Sequence, residues 1–282
     1  AGAALLRRAL SRAVTGRPDS MRKAEALIRQ IGYGLLSSYQ DYRALYTWRS
    51  WLFGWLARLL CQVLFFSMVG WAIGSAATQR YMALGNAVVL GPSAPSEWSP
   101  PVSANAWRHL AVSPAQPQRT VPRAAGARLY WVADGIVTSC IALFVLRWLA
   151  DVEVSPPMLL VCFLLQVLIT LSGYSLALAL AGISLRWPES RMYLTAGTTI
   201  LLMTLAGVNT PLPRGGVVGA IAAVMPAAHG LQAIRALVAH GTVPAGEVFA
   251  EFAVLLLWGA VGYLALTGSL RHQVRTGTLN LR

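Results

Sequence analysis

The sequence predicts an all-α polytopic membrane protein, on three observations. Of its 282 residues 56% are hydrophobic and only 12% are charged, against about 25% charged in a usual soluble domain. The apolar residues gather in runs near the ~20 needed to cross a bilayer as helix. The basic residues, which set a net charge of +13, cluster between those runs in the way that orients a membrane chain.

Taken in order, residues 1–20 read as a disordered basic extension with Arg7, Arg8, Arg12 and Arg17. Residues 21–50 then place Leu27, Ile28, Leu35, Tyr39, Tyr42 and Tyr46 in a broadly helical pattern among basic and polar groups. Such a segment suits the membrane interface as an amphipathic helix; a solvated leader is the alternative. No apolar stretch followed by a small-residue cleavage site precedes residue 50, so the first span is expected to act as its own insertion signal.

Five runs are clear candidate spans: Trp51–Ile73, Leu129–Leu149, Pro156–Ile183, Met192–Val208 and Val248–Leu266. A sixth, from Tyr81 to about Ala104, meets Pro92, Pro95, Glu97, Pro100 and Pro101, which predict a break, because proline in a span needs neighbours to satisfy the backbone groups it frees. Charge arbitrates. Nine basic residues precede the first span, Arg108, Arg119, Arg123 and Arg128 precede the third, Arg186 and Arg191 follow the fourth, and Arg271, Arg275 and Arg282 follow the last. Placing all of them inside requires an even number of crossings, hence six, with both termini cytoplasmic and residues 271–282 as a cytoplasmic tail. The basic balance is thereby explained by topology, and no nucleic-acid partner is expected.

The stretch from Pro211 to His240 departs from this pattern. Pro211 and Pro213 stop the fifth span, and Pro226 separates two short apolar segments. Gly215–Val224 would give about 15 Å of helix and Ala227–Ala239 roughly 20 Å, and neither crosses a hydrocarbon core of about 30 Å. The second segment sets His229, Gln232 and Arg235 along one face. The expectation is a re-entrant helical hairpin over 211–240, dipping into the outer leaflet with its polar stripe toward protein or water; the alternative is an extracellular loop with surface helices.

Two further charges fall inside spans. Arg58 and Asp134 lie at similar depths from the cytoplasmic ends of the first and third spans, about 8–10 Å at 1.5 Å per residue. Charges there pair or face a cavity, so an Arg58–Asp134 pair is one reading. In the other, Arg58 snorkels to the headgroups and Asp134 caps a short break near Gly135. Gly70 and Gly74 form G-x-x-x-G, which suits close helix packing within the chain, with a dimer contact as the alternative.

Enzyme motifs are missing: there is no phosphate-binding loop, no H-E-x-x-H, no C-x-x-C and no G-x-S-x-G. Cys61, Cys140 and Cys162 stand apart, and so do the four histidines. No catalytic or metal-ligating residues and no cofactor are therefore assigned.

The arrangement resembles the permease subunits of type-two ATP-binding-cassette (ABC) exporters, from about Met21 to Leu270. The stretch "LAGVNTPLP" resembles the family's pre-hairpin segment, and Pro226 with "QAIRALVAHG" its second hairpin helix. "YRALYTWRSWLFGWLARLLCQVLFFSMVGWAIG" is similar to the first-span entry. "WRHLAVSPAQP" and "RLYWVADGIVTS" are similar to the first cytoplasmic coupling loop and the third span. The resemblance implies six spans over 51–270, a coupling loop at 105–117 carrying Trp107, Arg108, Leu110 and Pro114, and a second permease copy. It also implies two ABC ATPase subunits, separate polypeptides that hold the ATP and magnesium. The expected activity is export of an amphiphilic or hydrophobic compound (a drug, antibiotic or lipid-like natural product) across the plasma membrane. The proline run at 92–101 departs from the family's second span, which continues as helix. Two other readings are a non-transporting partner subunit of a heteromeric permease and a membrane-embedded transferase, for which Glu247 and Glu251 would be the available carboxylates.

Overall fold

The computed structural model describes residues 19–97, 129–149, 155–211 and 215–276. The described residues are helical, without a strand, and form nine helices. They are α1 (Asp19–Leu45), α2 (Trp48–Ala72), α3 (Ala76–Glu97), α4 (Leu129–Leu149) and α5 (Pro156–Arg186), then α6 (Arg191–Leu205), α7 (Gly216–Ala223), α8 (Ala228–His240) and α9 (Ala245–Thr276). Of the basic extension expected over 1–20, Asp19 and Ser20 instead open α1, and the rest lies outside the described residues, as do the coupling loop at 105–117 and Pro213.

Among the described residues, four helices are long and apolar enough to cross a membrane: α2, and Leu129–Arg147, Pro156–Arg186 and Ala245–Gln273 of α4, α5 and α9. Counting the bent pair α7–α8 as one broken span raises this to five. Helix α6 replaces the expected run Met192–Val208 with 15 residues, about 22 Å long. It ends because the chain turns at Gly207, whose φ is +68°.

Local chemistry explains most boundaries. Between α1 and α2, Thr47 and Ser50 form a reciprocal cap, each side chain accepting from the other's backbone N–H, the arrangement that satisfies donors left open by a helix start. The expected helix over 21–50 is thus two helices. At the start of α5, Ser155 is followed by Pro156 and Pro157, where a missing N–H is harmless. Gly241, with φ +69°, closes α8, as a left-handed residue after a helix commonly does. In the turn between α2 and α3, Gly74 has φ +80°, and a Cβ on Gly70 would lie 2.6 Å from Gln79 Cα. The G-x-x-x-G pair therefore serves a tight turn and close packing within one chain.

One expectation is overturned. Helix α3 does not break at Pro92 or Pro95 but runs through both to Glu97, and Pro100 and Pro101 lie outside the described residues. Proline at 92 has no N–H for the carbonyl four residues back, that of Val88. That carbonyl instead accepts from Gln166 Nε2 of α5 at 3.0 Å and from Ser139 Oγ of α4 at 3.3 Å. The Pro92 ring packs against Gly173, where a Cβ would strike it. Neighbouring helices supply what the ring removes, so the helix continues.

The core lies where α3, α4, α5, α6 and α8 meet, around Leu90, Leu146, Ile169, Leu202, Leu231 and Ile234, all at most 1% exposed. Helix α9 packs along α5 in the same direction, since Ser172 meets Glu251, Gly182 meets Ala265 and Leu185 meets Gln273. Small residues bring the two backbones close, and the Ser269 hydroxyl donates to the Gly182 carbonyl at 2.6 Å. The outward face of α9 keeps Phe249, Leu256, Tyr263 and Leu264 exposed, a composition suited to lipid contact.

Candidate functional site

The bend between α7 and α8 gathers one of two buried polar centres. The two helices meet at 89°. The chain turns through Met225 and Pro226 and places Ala227 at φ 71°, a left-handed conformation that costs an alanine roughly 1–2 kcal/mol. Ala227 has no side chain with which to cap α8, so the open N–H groups at that helix start need a partner from elsewhere.

Glu251 of α9 supplies it. The carboxylate is fully buried and accepts from the backbone N–H groups of Ala227 and Gly230, both at 2.9 Å, and from the Ser172 hydroxyl of α5. Carboxyl oxygens at a helix start satisfy N–H groups left open there, and the three donors offset the burial of a polar group. Gly230 is required here, because a Cβ would meet Ile169. Glu251 therefore ties three helices together at the bend.

Each sequence-selected residue of this region has a distinct place. Pro211 is exposed at the end of the turn after α6, and Pro226 is buried in the bend. His229 Nδ1 lies 2.7 Å from Glu247 Oε2, and its Nε2 lies 3.0 Å from the Ala223 carbonyl at the end of α7. Gln232 is half-buried on α8. Arg235 faces away from His229: its guanidinium donates to the carbonyls of Gly207 and Val208 at 2.9 Å and of Tyr81 at 3.1 Å. It stacks on the Tyr81 ring, 3.4 Å from the centroid. A cation at these carbonyls holds the turn 206–209 against α3. Gly85 makes room for it, since a Cβ there would lie 2.8 Å from Arg235 Nη2. Asn86 Nδ2 donates to Asn209 Oδ1 at 2.7 Å in the same contact. The polar residues expected to form one stripe thus serve two separate contacts.

The second polar centre surrounds Asp134. Its Oδ1 accepts from Tyr42 Oη and Trp51 Nε1, both at 2.7 Å, and its Oδ2 from Trp55 Nε1 at 3.0 Å. These donors come from α1 and α2, so one buried carboxylate of α4 holds the ends of both. Trp51–Leu56 is wound as π-helix, a departure from α-helix found often at functional positions, and both of its indole N–H groups reach the same carboxylate. Tyr39, Tyr46, Tyr130 and Trp131 pack around them with ring centroids 4.5–6.4 Å apart. Burial, and then the Asp134 carboxylate, push the Tyr42 phenol well above its usual range. Arg58 sits over the Trp55 ring at 5.0 Å. The two charges selected from the sequence therefore share Trp55, and three neutral donors were missed.

Trp107, Arg108, Leu110 and Pro114 lie outside the described residues. Among the described residues, no three of His, Cys, Asp and Glu converge in a way that would hold a metal ion. Glu251, offered by the sequence only as a carboxylate for a transferase, takes instead the place of a helix cap, although a carboxylate within an apolar span is itself a signal that something must satisfy it. No protein-family model matches the chain, and no match to it is found among curated proteins.

Proposed function

We propose that the chain is the membrane subunit of an ABC exporter of the type-two class, moving amphiphilic or hydrophobic compounds out of the cell. In this reading the helices cross the plasma membrane six times, α3 and α6 among them, with both termini in the cytoplasm. Helices α7 and α8 form a re-entrant hairpin from the outer side. The chain stands together with a second permease copy, as a homodimer or a heterodimer, and with two separate ATPase subunits, which hold the ATP and magnesium. ATP-driven closure pushes on 105–117 and on α1, and cargo leaves beneath the hairpins.

The observation that carries the reading is the bent pair α7–α8, placed directly before the last long helix and tied to it by Glu251. Helix α3 supports it too, because Met82–Ser93 are all buried, so a span of modest hydropathy meets protein rather than lipid. The docking of α1 on α4 through Tyr42 and Asp134 offers a route from the cytoplasmic side into the spans. A transferase is less well supported, since Glu251 and Glu247 are both engaged by neighbouring helices.

The test is co-expression with an ABC ATPase, purification by a tag on this chain, and ATP hydrolysis in vesicles with a lipophilic dye as probe cargo. The expected result is a bound ATPase whose turnover rises with dye, and loss of both in Trp107→Asp with Leu110→Asp. Absence of any bound ATPase would remove the exporter reading. A bound ATPase without dye stimulation or dye export would leave a non-transporting partner subunit.

A further inference from the structure

Helices α7 and α8 are held very differently. Helix α8 is anchored at its start by Glu251 and along its length by Leu231, Ala233, Ile234 and Leu237, all in the core. In α7 only Ala222 is buried, and Val217, Val218 and Ile221 are exposed. The hydrogen bonds that reach the end of α7 from other helices are made to two of its terminal carbonyls. The His229 ring meets that of Ala223, and Trp258 Nε1 donates to that of Val224 at 2.7 Å. The backbone between the two helices passes through the left-handed Ala227. A fixed helix, a strained joint and a lightly held helix make a hinged arm.

The proton count at the latch decides when it holds. One ring nitrogen of His229 faces a carboxylate and the other faces a carbonyl. Neither partner has a hydrogen to give unless Glu247 is protonated, so the His229–Glu247 pair needs two protons to make both bonds. With one proton fewer, the ring keeps its bond to the carboxylate and turns a lone pair toward the Ala223 carbonyl. Two acceptors then face each other and that contact is lost. Among the described residues, the charged groups facing the ring are Glu247 and Glu251, both on α9; α7 carries none, and α5 presents Ser172. His229 and Glu247 are each about a quarter exposed, 23%.

We propose that α7 is a lid latched by a proton on the His229–Glu247 pair: closed on α8 while the pair carries two protons, released when it loses one. Imidazole is the side chain suited to such a change near neutral pH. The latch needs no ATPase partner.

The experiment uses the full chain with Cys61, Cys140 and Cys162 replaced by alanine. The maleimide labelling rate of Ala222→Cys is divided by that of Val217→Cys, which is exposed and corrects for the reagent's own pH dependence. This ratio is expected to rise about five- to ten-fold from pH ~5.5 to ~9, the size of one net hydrogen bond. His229→Gln should give a high ratio at every pH. Glu247→Gln should give a low one at every pH, because the amide donates to Nδ1 and leaves Nε2–H for Ala223. A flat ratio in the otherwise unaltered chain, or an unchanged pH rise in either variant, would overturn the latch.

Discussion

Trp55 stands between Arg58 and Asp134: its indole N–H donates to the carboxylate at 3.0 Å while the guanidinium lies 5.0 Å from its ring centre. The opposite charges are linked through an aromatic ring whose N–H and π face serve one each. A carboxylate holding three neutral donors behaves differently from one held by a cation, and the difference is measurable. Asp134→Asn leaves at least one donor facing an amide N–H2, at a cost of about 1–3 kcal/mol. The exchange Arg58→Asp with Asp134→Arg sets a cation against three donors, so no recovery is expected. Thermal melting of the purified protein checks both, and recovery in the exchange would favour a direct ion pair. Tyr42→Phe should cost about 1 kcal/mol. Because the folded phenol is held above its unfolded value of about 10, that contribution is intact below that pH and is lost only as pH rises beyond it. The loss should therefore be constant from pH ~5 to ~9.

Pro92 and Gln166 should be coupled. Gln166→Met removes the donor at 3.0 Å from the Val88 carbonyl and should destabilise by about 1–3 kcal/mol. Pro92→Ala restores a backbone N–H to that carbonyl, so the double variant should recover part of the loss. A double-mutant cycle gives the coupling directly; strict additivity would show that the two groups do not serve the same carbonyl.

Glu251 and Ser172 should rank in a definite order. Ser172→Ala takes away one donor of three and should cost about 1 kcal/mol. Glu251→Gln turns an N–H2 toward backbone N–H groups, for about 1–3 kcal/mol or more. The readout is the melting temperature. An equal or reversed order would mean that the carboxylate does not cap α8.

The topology has its own check. In a cysteine-free background, single cysteines at Ser190 and Arg275 should react with an impermeant thiol reagent only from the cytoplasmic side, and one at Pro244 only from outside. Labelling of Pro244 from the cytoplasm would remove both the six crossings and the re-entrant hairpin.

What the chain's sequence determined by itself is what depends on neighbours in sequence. The helical class and the long apolar runs follow from composition, since a backbone in lipid must satisfy its own polar groups. The stops at Pro226 and Gly241 follow from dihedral limits carried by single residues, and the two short helices before α9 follow from those stops. Only the tertiary structure decided whether Pro92 breaks α3, because the donors to Val88 come from 51 and 78 residues away. It also decided the partners of Asp134. Sign and depth alone select Arg58, but the π-helical turn and α1 bring Trp51, Trp55 and Tyr42 closer in chemistry. Glu251 shows the same limit from the other side. A buried acid announces that something must satisfy it, but which helix start it caps is set by packing: a hydrogen bond's partner across the fold is a matter of where surfaces meet, and no local propensity encodes that.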